Sequence, residues 1–538
     1  MGKHIGKSVK RVEDPRFLQG QGKYVANIKL PDMAHVAVLR SPHAHAKINS
    51  INTAAAKALD GVIDVFVGQD LIDGGVGKMP VIWQVPDNKI PDRWPLTPDK
   101  VRHVGDSVAA VVAEDPYIAR DALDLIEVDY EALEATTGAK ATTEDGKPLV
   151  HDEIENNISF KWGLGDREAC DKAFEEADHV VKLDLINQRL IANAMEPRAC
   201  AAQWIAATEN MTVWTTSQNP HIIRFGLSAV TLPMLDEHKL RVISPDVGGG
   251  FGSKIFHYPE EVIVPWIAKK INRPCKWVAT RSESFMTDSQ GRDHVQNCKL
   301  ALKSDGTITG LYVELHADMG AYLSSIAPLI PTVICITLFS GLYKYPGIWG
   351  ETTGTLTNTV PVDAYRGAGR PEASYLLERI IDVAAKELGM DPIEIRRKNF
   401  IGKDEFPYQT PVAFLYDSGD YHAMFDKLEE NADYQGMRSA QASAKEEGRL
   451  VGIGVSGSVE ASGYGPAATV GALGFYGGMW EHGGIRVHPT GKVTAFTGSH
   501  SHGQGHETTM AQIVADKLGI EVADVDVVHG DTDLVTQG

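Results

Sequence analysis

Apolar and polar positions along the chain predict short strands and helices in mixed order. VAVLR at 36–40 and VIDVFV at 62–67 read as strands. TAAAKALDG between them predicts a short helix capped by Thr53 and stopped by Gly61. VAAVVAE at 108–114 is an unbroken apolar run, which predicts a buried strand. PYIARDALDLI opens a helix on Pro116, and IEVDYE at 126–131 alternates as a strand does. Together these outline a small α+β unit over about 17–133, followed by a polar connection at 134–160.

From about 160 to 400 the pattern predicts strands with intervening helices. LRVIS at 240–244 reads as a strand. The best helix is EASYLLERIIDVAAKELG at 372–389, where Leu376, Ile380, Val383 and Ala384 share one face. Pro371 opens it and Gly389 ends it. DPIEIRRKNF follows, with Asp391 as cap, Pro392 in the first turn and Glu394 completing a capping box. A linker at 402–418 leads to SAQASAKEEGR, the end of a helix, and then to glycine-rich strands expected over VGIGVSGS and GALGFYGG. IRVHPTGKVTAFTGS predicts two strands about a Pro489–Gly491 turn, ETTMAQIVADKLG at 507–519 a helix, and ADVDVVHG a strand.

Met319 to Tyr343 carries no charged residue and is long enough to span a bilayer, but Pro328 and Pro331 would break a helix there. A buried, irregular core segment is expected instead. The chain has 538 residues, enough for three or four domains at about 150 residues each. Its formal net charge of −19 argues against nucleic acid and anionic lipid as partners. Five cysteines with no CxxC spacing exclude an iron–sulfur cluster held by this chain alone and fit a reducing, cytoplasmic compartment. The polar N-terminus shows no signal peptide.

Four loops carry candidate chemistry. DVGGGFGSK at 246–254 follows an apolar strand and admits either a tight structural turn or an anion-binding nest. It is neither a Walker A loop nor a GxGxxG loop, because Ser253 follows Gly252. VDAYRGAGRPEAS at 362–374 sets Arg366 before a Gly-Ala-Gly turn that feeds a helix, either to aim a guanidinium at an anion or as a structural joint. GSHSHGQGHETT at 498–509 holds His500, His502, Gln504 and His506. It lacks an HExxH spacing, so a glycine-rich turn offering hydrogen bonds is favoured over a protein-ligated metal. TTSQNPH at 215–221 reads alone as a polar turn, and MEPR at 195–198 as the seat of a salt-bridged Glu196.

In chain order, with RVEDPRFLQGQGKYVANIKLP, SPHAHAKI and VRHVGDSVAAVVAEDPYIARDALDLIEVDYE before them, TTSQNPH, DVGGGFGSK, VDAYRGAGR and GSHSHGQGHETT resemble the large subunit of the molybdenum hydroxylases. That is the family of xanthine dehydrogenase, aldehyde oxidase and aerobic carbon monoxide dehydrogenase. The resemblance runs from about residue 10 to 538. It implies an α+β fold with an N-terminal a/b hammerhead domain at 1–133, a linker at 134–159, and two molybdopterin-binding mixed α/β domains at 160–401 and 402–538, the last one incomplete. It implies a molybdenum–pterin cofactor, molybdopterin or its cytosine dinucleotide, held by its own dithiolene rather than by side chains, so no protein metal ligand is expected. Gln218 would lie near the metal's oxo group. Gly250, Phe251 and Gly252 would present backbone, and Arg366 would stand beside the metal centre. Gly503 and Gln504 would contact the pterin or its phosphate.

The implied reaction is oxidative hydroxylation with water as the oxygen source. Electrons would pass to a small [2Fe–2S] subunit and a medium FAD subunit. The family's base glutamate lies in a GE motif near the C-terminus of longer chains. This sequence has no counterpart of that region, so no catalytic residue is assigned, and a second polypeptide completing the last domain, a fragment or an inactive product is expected. Gly367 occupies the position of the cysteine in copper-containing carbon monoxide dehydrogenases, so a Mo–S–Cu site is not expected. Ile255 and Ala368 stand where purine hydroxylases carry glutamate and phenylalanine, which disfavours xanthine and leaves an aldehyde or an aromatic N-heterocycle. The 319–343 segment is expected to line the substrate channel. Two other readings compete: a non-catalytic cofactor-binding or assembly module, and a metal hydrolase built on His500, His502 and His506.

Overall fold

The computed structural model describes residues 3–461, 463, 467–472 and 480–538. Strands β1 (Ala34–Arg40), β2 (Ala46–Asn52), β3 (Val62–Val67), β4 (Lys100–Val101), β5 (Ser107–Ala113) and β6 (Glu127–Ala132) come first. They are followed by β7 (Ile158–Gly165), β8 (His179–Asn187), β9 (Ala199–Ile205), β10 (Asn210–Thr215), β11 (Leu240–Ile243) and β12 (Cys275–Val278). Then come β13 (His294–Leu302), β14 (Ile308–Asp318) and β15 (Gly347–Thr355). The hairpin β16 (Tyr408–Gln409) and β17 (Leu415–Tyr416) precedes β18 (Gly483–Val487), β19 (Val493–Thr497) and β20 (Val525–Val528).

Of the N-terminal strands, β4, β2 and β6 form a small sheet of their own, whereas β1, β5 and β3 join a larger one. β1 runs parallel to β12, with Ala34 opposite Cys275, so one sheet in the order β11-β10-β9-β12-β1-β5-β3 joins the start of the chain to its middle. β5 is buried along its whole length, as its apolar run predicts. The helix Glu260–Lys270 covers this sheet and is buried from Glu260 to Ala268, so a stretch apolar on all sides becomes a core helix. A second sheet, β7-β15-β14-β13-β8, packs against the helix Arg370–Leu388. That helix ends on Gly389 in the left-handed conformation, φ +66°, as expected. A third sheet, β18-β19-β20, carries the helix His506–Leu518.

The 319–343 segment is buried and irregular, with a 3₁₀ turn at Ala327–Leu329 and a π-type turn at Ile330–Ile334. Among the described residues no helix is long and apolar enough to cross a membrane. Four sequence expectations need correction. VGIGVSGS forms no strand: Ile453 and Val455 pack against the second core, but no neighbouring edge pairs with them. GALGFYGG begins as the end of the helix Ala467–Ala472, and its remainder lies outside the described residues. Asp391 caps its helix by accepting from Ile393 N–H, without Glu394 completing a box. The 402–418 linker contains the β16–β17 hairpin.

The seven-stranded sheet is tied down by buried charge. Arg198 Nη1 donates to Glu260 Oε2 at 2.7 Å and its Nε to Asp288 Oδ1 at 2.7 Å, and Arg40 reaches Glu260 from the other side. Burial alone would raise the Glu260 carboxyl, yet the two arginines hold it well below the ordinary carboxylate range. Replacing Glu260 by alanine takes one of two carboxylate partners from each of two buried guanidinium groups. It is expected to destabilise the fold by about 3–5 kcal/mol, measured by chemical denaturation. A loss no larger than that of an exposed ion pair would show that Glu260 is dispensable.

Candidate functional site

The glycine loop 246–254 leaves β11 and folds over two other loops. Phe251 and Gly252 have φ +57° and +102°, the left-handed region that only a tight turn of this kind requires. A Cβ on Gly252 would stand 2.4 Å from the carbonyl oxygen of Ala364, so backbone lies directly on backbone. Arg366 N–H completes the junction by donating to the Phe251 carbonyl at 2.9 Å. Gln218 closes it from the third side. Its Oε1 accepts Gly252 N–H at 2.9 Å, its own N–H donates to Lys254 O at 2.8 Å, and a Cβ on Gly250 would collide with its amide at 2.3 Å.

This junction borders a cavity of about 1130 Å³. Gln218, Phe251, Gly252, Ile255, Arg366 and Ala368 all line it, and Gly250 lies directly behind Gln218. Ile326, Leu329, Ile330, Val333 and Leu338 of the uncharged segment make an apolar wall, while Phe339 is buried in the core behind it. Phe414 and Tyr416 of the hairpin, read from the sequence as linker, form another part, and Trp83 reaches in from the N-terminal region. The Arg366 side chain is exposed at this surface and has no hydrogen-bond or ion-pair partner among the described residues.

Several further groups support the junction, among them the salt-bridged Glu196 read from MEPR. Arg292 donates to the carbonyls of Tyr365 at 2.8 Å and Arg366 at 3.0 Å and pairs with buried Glu372 at 3.2 Å, which locks the arginine loop from below. Lys254 is buried and pairs with Glu196 at 3.1 Å, and Glu196 also accepts Gly248 N–H at 2.8 Å. Burial lowers the Lys254 ammonium, and Glu196 opposes that shift. Tyr258 donates to Ser253 O at 2.5 Å beneath the Arg198 guanidinium, 3.6 Å from its ring centre, and so links the glycine loop to the buried ion network. Asp363 is buried and accepts from Ile326 N–H at 3.1 Å and Ala364 N–H at 2.7 Å, joining the apolar wall to the arginine loop.

Gly503 and Gln504 do not line the cavity. The Gln504 amide turns back on its own loop, bonding His502 N–H and, at 2.8 Å, His502 Nδ1. The loop still reaches the site, because His502 lies against the Gln218 backbone. His500, His502 and His506 do not converge as metal ligands: His500 bonds His529 Nδ1 at 2.9 Å and Ser244 Oγ at 3.1 Å. Burial lowers the His502 imidazole to about 4, so it is neutral at neutral pH. His502 Nε2 and His506 Nδ1 are buried without a partner, as is Glu196 Oε1. Unpartnered polar atoms, backbone with no room for a Cβ and an unpaired guanidinium fit a polar, partly anionic ligand with extended hydrogen-bonding edges.

Residues 19–134 match the aldehyde oxidase and xanthine dehydrogenase a/b hammerhead domain. Residues 150–400 and 427–538 match molybdopterin cofactor-binding domains. The chain is 36% identical over 554 residues to the carbon monoxide dehydrogenase large chain of Afipia carboxidovorans, covering 99% of this chain and 67% of that one. It is 33% identical over 535 residues to the nicotine 6-hydroxylase large subunit of Paenarthrobacter nicotinovorans, covering 98% and 64%. The crystal structure of quinoline 2-oxidoreductase from Pseudomonas putida 86 superposes with a TM-score of 0.93 at 36% identity, covering 99% of this chain and 67% of that one. The chain thus spans about two thirds of the length of the curated relatives it matches.

Burial raises the Asp363 carboxyl from its ordinary value to about 7. Between about pH 4 and 7 the folded state therefore keeps a proton that the unfolded chain has released. The contribution of Asp363 to stability is full below pH 4 and is lost as pH rises through 7. Thermal denaturation of wild type and Asp363→Asn across pH 4–8 is expected to show wild type losing roughly 2–4 kcal/mol relative to the variant as pH rises. A constant difference over that range would show that Asp363 titrates as an ordinary carboxylate.

Proposed function

The chain belongs to the molybdenum hydroxylases, as a molybdopterin-binding large subunit, and from that premise we propose that it binds the molybdenum–pterin cofactor and hydroxylates an aromatic N-heterocycle or an aldehyde. The unpaired Arg366 guanidinium, set between a glycine loop and an apolar cavity, carries this reading. When bound, the cofactor supplies two-electron oxidation at a C–H carbon with water as the oxygen source.

The chain's residues divide the work. The 250–252 backbone and the Gln218 amide would hold the cofactor's edge, and His502 lies against the Gln218 backbone. Arg366 lays positive charge at the cavity surface, where negative charge would develop on the reacting group. Ile255, Ile330 and Val333 favour a flat, neutral ring over a charged substrate. The names of the nicotine and quinoline enzymes among the relatives agree with that choice. Carbon monoxide is not favoured. Gly367 has φ +94°, and a Cβ there would meet Pro371 at 2.5 Å, which leaves no place for a thiolate side chain on this backbone. Electrons would leave through a small [2Fe–2S] subunit and a medium FAD subunit, and a further polypeptide segment would supply the base. Five buried, unpaired cysteines fit a cytoplasmic location.

The protein purified from its native host with its co-purifying chains is expected to contain molybdenum, pterin, iron and FAD, and to oxidise quinoline with a dye as acceptor. Arg366→Met is expected to lower kcat/KM about 10²–10³-fold while leaving the denaturation midpoint unchanged, because its side chain bonds nothing in the fold. Turnover unaffected by that substitution would remove Arg366 from the reaction. Pterin without turnover in the wild-type assembly would instead favour a cofactor-binding module.

A further inference from the structure

Arg16 sits where a glycine-rich loop from the middle of the chain approaches another from its last fifty residues. It lies in the short helix Asp14–Leu18, and its fork pairs with Glu507 through Nη1–Oε2 at 2.7 Å and Nη2–Oε1 at 2.6 Å. The same Nη2 donates to Asp246 Oδ1 at 2.7 Å. Asp246 is the first residue of DVGGGFGSK, and Glu507 directly follows GQGH. One guanidinium thus bridges loops separated by more than 250 residues of sequence.

Its neighbours repeat the pattern. Lys23 N–H donates to Asp246 Oδ2 at 2.7 Å, and Asp246 N–H to Lys23 O at 3.1 Å. On the other loop, Val12 N–H donates to Thr508 Oγ1 at 2.9 Å, and that hydroxyl donates to buried Glu13 at 2.5 Å. Arg11 donates to the Gly503 carbonyl at 3.3 Å. A second path runs inside: Glu507 faces His529 at 3.7 Å, His529 meets His500 at 2.9 Å, and His500 bonds Ser244 at the end of β11 at 3.1 Å.

We propose that residues 11–23 form a brace and that Arg16 is a positioning residue which fixes the spacing between the loops 246–252 and 500–508. The proposal rests on the reading of these loops as the cofactor's seat. Arginine suits the task because its planar fork serves two carboxylates at fixed angles, whereas a lysine point charge would serve one. Burial would raise the Glu507 carboxyl, but His529 and Arg16 hold it down at about 2, so the bridge stays charged across the physiological range.

Hydrogen exchange on the full chain, without cofactor, separates the brace from the cofactor reading. Arg16→Ala is expected to speed amide exchange at least tenfold in 246–252 and 500–508 together, with β13 and β14 unchanged. Arg16→Lys is expected to release one loop and hold the other. Glu507→Gln is expected to release 500–508 alone. Arg273→Ala removes another two-pronged arginine–carboxylate pair, with Glu114, remote from these loops, and is expected to move neither. In the loaded assembly, molybdenum content is expected to fall at least fivefold in Arg16→Ala and to stay at the wild-type level in Arg273→Ala. Unchanged exchange in both loops, or equal acceleration in β13 and β14, overturns the proposal. If Arg16→Ala does not fold, Glu507→Gln decides: loosening confined to 500–508 supports the brace, and loosening nowhere or everywhere ends it. Loops released together in Arg16→Ala, with a wild-type chain that never holds molybdenum, would keep the brace and remove the cofactor reading.

Discussion

Backbone packed on backbone, at the contact between Gly252 and Ala364, is the constraint on which the rest of the site depends. Two loops more than a hundred residues apart touch with no side chain between them, so neither can shift without the other. Side chains around the contact serve to hold it. Gln218 fills the space beside Gly250, Arg292 grips two carbonyls of the arginine loop, and Asp363 ties that loop to the apolar wall. Tyr258 passes the load to the buried ion network under the seven-stranded sheet.

The treatment of arginine shows how the site is kept available. Arg198, Arg292 and Arg396 are buried, and each is matched to carboxylates and carbonyls, as a charge out of water must be. Arg366, exposed at the cavity, differs from them. Arg292 bonds the carbonyl of Arg366 and leaves its guanidinium to the cavity. The fold holds the main chain of that residue and spends no partner on its charge.

Much of this was legible in the sequence. Strand alternation and the apolar run of β5 located the N-terminal elements, and Gly389 marked the end of the long helix. The four loops, in order, pointed to Gln218, Gly250, Phe251, Gly252, Arg366, Ile255 and Ala368, all of which meet at or directly behind one cavity wall. Gly503 and Gln504 do not line that cavity, because a motif does not tell which way an amide turns. The buried ionic groups Glu260, Arg292 and Glu372 gave no sign of burial in the sequence, since their partners are far away along the chain. The β16–β17 hairpin read as linker because each of its strands is only two residues long, yet its aromatic rings reach the cavity. VGIGVSGS has the composition of a strand but no edge to pair with, a condition set by the whole fold rather than by its own residues.

The parallel pairing of β1 with β12 has a consequence for how the chain is made. Ala34 leaves the ribosome about 240 residues before its partner Cys275. At roughly 5–20 residues per second, the edge of the β1-β5-β3 ribbon waits unpaired for about 10–50 s during synthesis. Long-range pairing of this kind folds slowly and exposes strand edges while it waits. The nascent N-terminal region is therefore a client for ribosome-bound chaperones, and the interval until β12 emerges is when mispairing between neighbouring nascent chains is most favoured.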